Sequence, residues 1–289
     1  MTVHIAIAQA QQAVLLSDSQ GSTKDSESHG LHKQFVGANF LVGMAGDGGI
    51  IMRQFADLTS KFGYDDPHPV TNIKAAIEAF IDCEVHPSAF AQCVTLVVGC
   101  ETDGSTSVYE YEPGKFRHFG PRQSFGTIGS GSLFVDRASR RNQELGIVFP
   151  GDQLEDLLFE ALHYADAANE SLTVDDALAT AMIRNGCTYL TGDRSLNVRH
   201  APPEVAQFWN QLSPCWDEIR ETIRTVNGDL RVAQRTFSSS QRGELSKTDL
   251  ATLVNLNQGI GTSRKKLSVE LTNFLAEYDR IKLGNMSYP

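Results

Sequence analysis

The chain is poor in cysteine, has no long apolar run and carries no excess of positive charge, and each shortage removes a class of function. Its five cysteines, Cys83, Cys93, Cys100, Cys187 and Cys215, are odd in number and lack paired metal-ligand spacing. A disulfide scaffold and a structural zinc site are therefore disfavoured, and buried reduced thiols are expected. No window approaches the ~20 apolar residues of a membrane span. The first thirty residues also lack a basic start followed by an apolar stretch, so a cytoplasmic protein without a membrane partner is expected. The net charge is −10, with 14 Lys+Arg against 25 Asp+Glu in residues 1–200 and 11 against 10 in residues 201–289. This balance disfavours nucleic acid as a partner. The histidines form no His-x-x-x-His pair, and Gly46-Asp-Gly-Gly49 lacks the Lys-Ser/Thr of a phosphate loop. Neither metal nor cofactor is expected.

What is present suits a folded core. At 289 residues and 41% hydrophobic, the chain can form one large domain with an appendage. His4–Ala10 and Ala13–Asp18 read as two apolar strands joined by a tight turn, and Ser19–Leu31 as a polar loop. Strands are expected at Lys33–Val36 and Phe40–Ala45. Helical spacing then takes over, through Ile50, Ile51, Phe55 and Leu58 and again through Asn72–Cys83. Four strands follow within Cys93–Ile128, helices at about Leu133–Leu145 and Leu154–Ala168, and a hairpin about Asn185-Gly186. Such segregated runs imply an α+β fold of stacked layers rather than βαβ units. Beyond Pro202-Pro203 the pattern is all-helical. Phe208, Leu212, Trp216, Ile219, Ile223 and Val226 make one apolar face, and Asn227-Gly228 is a candidate break. Ser246 with Asp249 marks a helix start, and a last helix is expected over Leu267–Leu283.

The residues that carry chemistry lie at the ends of the early strands. Thr2 stands directly behind the initiator methionine, and removal of Met1 would give it a free α-amine. Asp18 ends the second strand, a lone Lys33 follows in His32-Lys-Gln-Phe35, and Gly43-Met-Ala-Gly46 precedes the first helix. A hydroxyl with its own amine, a carboxylate, a lysine and a glycine N–H are the parts of an N-terminal nucleophile site. Taken singly each has a plainer reading: a small second residue, a turn cap, a solvated strand-edge lysine, a helix start. Their joint order and spacing favour the catalytic one.

On these residues, and on Thr127-Ile-Gly-Ser130-Gly-Ser132, the chain resembles the proteasome β-subunit superfamily, including its bacterial HslV-type relatives. The resemblance covers about residues 2–200, and the helical extension is residues 201–289. It implies a four-layer αββα sandwich, the N-terminal nucleophile (Ntn) hydrolase fold, and a threonine-type peptidase working through a Thr2 acyl-enzyme ester. Thr2 would be the nucleophile and its amine the base. Lys33 would supply positive potential, Asp18 would hold Lys33, the Gly46 N–H would serve the oxyanion, and Ser130 would position the amine or its water. The family also places an Asp and a Ser near the nucleophile after its fourth helix. Here one alignment favours Ser171 and another favours Asp166 with Asn169, and the family's glycine pair is missing. The partners implied are a peptide or unfolded-protein substrate and other copies of the chain in a homo-oligomer. For a separate ATPase unfoldase the sequence carries no signal. Two rivals use the same residues or none of them: a peptide ligase or transpeptidase acting through the same ester, and a catalytically silent proteasome-like scaffold subunit.

Overall fold

Side chains alternate across a strand, and in this chain that period of two sorts apolar residues onto both faces of each sheet. The computed structural model describes residues 3–18, 21–22, 27–28, 33–63, 66–84, 93–112, 115–119, 124–144, 153–168, 178–192, 203–240 and 246–285. The chain divides into two compact units, Met1–Ser139 with Phe149–Arg199, and Arg140–Val148 with His200–Pro289.

The first unit holds two five-stranded antiparallel sheets. One has the order β10 (Ser124–Gly129), β1 (Val3–Gln9), β2 (Gln12–Asp18), β11 (Leu178–Arg184), β12 (Cys187–Gly192). The other runs β5 (Gln34–Val36), β6 (Phe40–Gly46), β7 (Cys93–Cys100), β8 (Thr106–Glu112), β9 (Lys115–His118). The hairpin between β11 and β12 turns at Asn185 and Gly186, both with positive φ (51° and 76°), as its Asn-Gly sequence demands. Within the stretch read as a loop, β3 (Gly21–Ser22) and β4 (Glu27–Ser28) form a short ladder of their own.

Strand β6 shows how the layers divide. Phe40, Val42 and Met44 join a core with Ile50 and Leu58 of α1 (Gly48–Phe62) and Ile73, Ile77 and Ile81 of α2 (Val70–Glu84). Leu41 and Ala45 point the other way, into a core shared with Ala6, Ala8, Ala13 and Leu15 of the first sheet. The small residues on that face let two backbones approach closely. Against β1 and β2 packs α4 (Leu154–Ala168), which is buried along nearly its whole length.

This arrangement corrects the four-layer Ntn sandwich. The described elements are two antiparallel five-stranded sheets with helices, of the α+β class, but they do not form that sandwich. A helix pair is needed on each outer face, and on the first sheet only α4 packs broadly. The reason lies in α3 (Ser132–Glu144), which carries Arg137, Arg140, Arg141 and Asn142 and buries Val135 alone among its apolar residues, while Leu133 is 53% exposed. It has no continuous apolar stripe to lay on a sheet, and it belongs to the first unit only as far as Ser139.

The second unit is built on two long helices, α5 (Pro203–Ser240) and α6 (Lys247–Asn285). Each replaces two expected pieces. Gly228 costs a helix only about 1 kcal/mol, less than the buried stripe Trp216, Ile219, Ile223, Val226 and Leu230 returns by packing against Leu267, Leu271 and Phe274. The Trp216 and Phe274 rings lie 5.9 Å apart, and Thr222 donates to Glu270 Oε1 at 3.0 Å. At the start of α6, Ser246 and Asp249 exchange the reciprocal bonds of a capping box. The residues of that stripe are buried within the helical unit itself. The thiols also depart from expectation: Cys100 is buried, but Cys83 and Cys187 are exposed and Cys215 is half-buried. Among the described residues, no helix is long and apolar enough to cross a membrane.

Candidate active site

The register of the first sheet assembles the site. His4 pairs with Ser17 and Val3 with Gly129, so Asp18 and Ser130 each lie one residue past a ladder that ends at the start of β1. The Val3 N–H donates to Asp18 Oδ1 at 2.8 Å. The Lys33 ammonium forks onto both oxygens of the same carboxylate at 3.1 Å each. Asp18 is 0% and Lys33 7% exposed, so this is a desolvated pair. Two charges taken out of water cost several kcal/mol each, and only the fork and the added amide bond offset that cost. A pair of this kind is an inefficient way to stabilise a fold.

The Lys33 carbonyl accepts from Met44 N at 3.4 Å, which joins the segment leading into β5 to β6. Two residues further along β6 is Gly46, exposed, with φ 141°, a conformation that favours glycine. Asp47 follows as the N-cap of α1, and its carboxylate accepts from the Gly49 and Ile50 amides at 2.9 and 3.1 Å. That carboxylate occupies the helix N-terminus, so Gly46-Asp-Gly-Gly49 is a capped helix start rather than an anion cradle. Ser130 is exposed in the turn between β10 and α3, next to Gly129 (φ 96°), whose carbonyl accepts from Ser132 Oγ at 2.8 Å.

The structure therefore brings Asp18 and Lys33 into contact, and sets Ser130 just past the end of β10, two strands from β2, and Gly46 at the end of β6, the neighbour of β5. Asp166 sits half-buried two residues from the end of α4, the helix packed on β1 and β2. Thr2, Ser171 and Asn169 lie outside the described residues.

Sequence reasoning missed His4. It is 0% exposed, its Nε2 lies 2.7 Å from the Met44 carbonyl oxygen, and its Nδ1 is hydrogen-bonded to the Ser17 hydroxyl. Burial pushes its pKa down to about 3, against the raising effect of the Met44 carbonyl and with a smaller lowering contribution from the Lys33 charge. The only signal available in sequence was a histidine inside an otherwise apolar strand. No protein-family model matches the chain, and no curated protein sequence matches it.

Proposed function

We propose that this chain is an N-terminal threonine hydrolase that cleaves peptide bonds through an ester on Thr2. The observation that carries the reading is the buried Asp18–Lys33 pair bonded to the Val3 amide. That nitrogen is the one acylated by residue 2, so the pair is tied to the backbone at the nucleophile's own peptide bond.

With Met1 removed, the Thr2 α-amine has an ordinary pKa near ~8. The Lys33 cation disfavours its protonation and so keeps it available as a base. Asp18 holds Lys33 charged and in place. The amine takes the hydroxyl proton, directly or through a water, as the oxygen attacks the substrate carbonyl. The Gly46 N–H donates to the oxygen that gains charge. Collapse of the tetrahedral adduct expels the leaving amine with that proton and leaves the Thr2 ester, which water then hydrolyses. Ser130 orients the amine or its water.

The test is turnover of fluorogenic peptide amides by protein from which Met1 has been removed. Thr2→Ala should abolish it and Thr2→Ser should keep part of it. Lys33→Ala should be nearly as inactive as Thr2→Ala, and Ser130→Ala milder. A near-wild-type rate for Lys33→Ala would refute the role given to the buried pair.

A further inference from the structure

Among the buried ionisable side chains that the catalytic scheme leaves unused, His4 is wholly enclosed, at 0% exposed. Strand alternation turns its ring towards the second sheet, on the same side as Ala6 and Ala8. There it meets the Met44 carbonyl of β6 at 2.7 Å. A carbonyl can only accept, so Nε2 carries the proton, and in a neutral imidazole Nδ1 is then an acceptor. The Ser17 hydroxyl therefore donates to Nδ1. Ser17 Oγ in turn accepts from Gln34 Nε2 at 2.8 Å. The amide orientation of Gln34 follows from its contacts with the Leu15 and Ala179 carbonyls at 3.1 and 3.2 Å. Donation thus runs in one direction along the series, from Gln34 to Ser17 to His4 to Met44.

This is not a second nucleophile. Ser17 and His4 are both 0% exposed, and the far nitrogen of the ring is committed to a peptide carbonyl. What distinguishes the series is its position. Gln34 follows Lys33, Ser17 precedes Asp18, His4 follows Val3, and Met44 stands two residues before Gly46. The backbone of β6 is cut to admit the ring: a Cβ on Gly43 would lie 2.7 Å from His4 Nδ1. Gly43 is also the ladder partner of Gln34.

We propose that His4 is a positioning residue, which ties β6 and hence the Gly46 backbone to the β1–β2 pair that carries Val3 and Asp18. The proposal rests on the N-terminal threonine reading. A backbone donor assists only when held at hydrogen-bond distance from the oxygen that gains charge, and loss of one such donor costs about 10²- to 10³-fold in rate. Partial misplacement costs less.

The experiment uses the full chain with Met1 removed and a peptidyl β-lactone, whose carbonyl carbon Thr2 Oγ1 attacks to give a tetrahedral oxyanion intermediate that collapses to the ester as the ring C–O bond breaks. His4→Phe should lower the saturating acylation rate by about tenfold or more, with the half-saturating concentration unchanged. His4→Gln, which keeps an N–H in reach of Met44, should recover part of the loss, and Ser17→Ala should lose a few-fold. If His4→Phe does not fold, the other two variants carry the comparison. An unchanged rate in the folded variants would overturn the proposal, and so would a His4→Gln no faster than His4→Phe, because bulk alone would then explain the effect. Nitrogen-15 NMR of the wild-type ring separates the two readings. A ring proton on Nδ1 would overturn the positioning role even if Thr2 reacts. Failure of wild-type Thr2 to react would refute the functional reading, and the positioning role with it, whatever the tautomer.

Discussion

Replacing Lys33 by methionine keeps most of the side-chain volume and removes the charge that faces Asp18. The Asp18 carboxylate is 0% exposed, so it cannot recover hydration by turning outward. Breaking a buried pair by removing one partner costs about 3–5 kcal/mol, a large share of the ~5–15 kcal/mol that holds a domain folded. The second arm is the double variant Lys33→Met with Asp18→Asn. It removes both charges and keeps an oxygen for the Val3 N–H, so it should be more stable than Lys33→Met alone. The coupling between the two sites should be on the order of 2 kcal/mol. The assay must read the first unit. Trp209 and Trp216, the two tryptophans of the chain, both lie in α5, so their fluorescence follows the helical unit. Hydrogen exchange of peptides from β1 and β2, followed by mass spectrometry, reports the strands that hold the pair. A loss under about 1 kcal/mol for Lys33→Met, the range of an exposed ion pair, would refute the argument that desolvation makes this contact critical.

Gly46→Ala forces a side chain onto φ 141°, and should cost about 1–3 kcal/mol of strain in a thermal melt as well as slowing Thr2 acylation. His4 makes the first unit acid-sensitive. Its folded pKa of about 3 lies below the unfolded value near 6.5, so between these values the unfolded chain binds the extra proton. The stability it contributes is present above about pH 6.5 and falls with pH at up to ~1.4 kcal/mol per unit. Urea titrations at pH 7 and pH 5, read by exchange in β1, should show that loss in the wild type and a smaller one in His4→Phe. Gly228→Ala should stabilise α5 by about 0.5–1 kcal/mol, because nothing stands within 4 Å of the added methyl. Tryptophan fluorescence melts would detect it, and destabilisation would mean that a constraint on Gly228 has been overlooked.

What was legible in the sequence follows from how local each signal is. The pairing of Asp18 with Lys33 rests on the family resemblance and not on a local signal, because β2 and β5 lie in different sheets and the contact forms between them. The capping box at Ser246 and the Asn185-Gly186 turn are set by neighbours within four residues, and both appear as expected. His4 could not be read, because its partner Met44 is forty residues away on the other sheet, and only the stacking of the two sheets brings the ring to that carbonyl. Asn227-Gly228 misled in the opposite sense. Local propensity favoured a break, and packing along α5 outweighed it. Helix α3 misled again, because its spacing is helical but its polar surface gives a sheet little to bury. The expected layer of paired helices fails at that point.

Protein from a host that removes initiator methionine, treated with a peptidyl β-lactone and mapped by peptide mass spectrometry, tests the central claim most directly. The account predicts a chain that begins at Thr2 and carries one acyl group on the Thr2 oxygen, with no adduct in Thr2→Ala. An adduct elsewhere, or undiminished peptide turnover by a chain that still carries Met1, would contradict it.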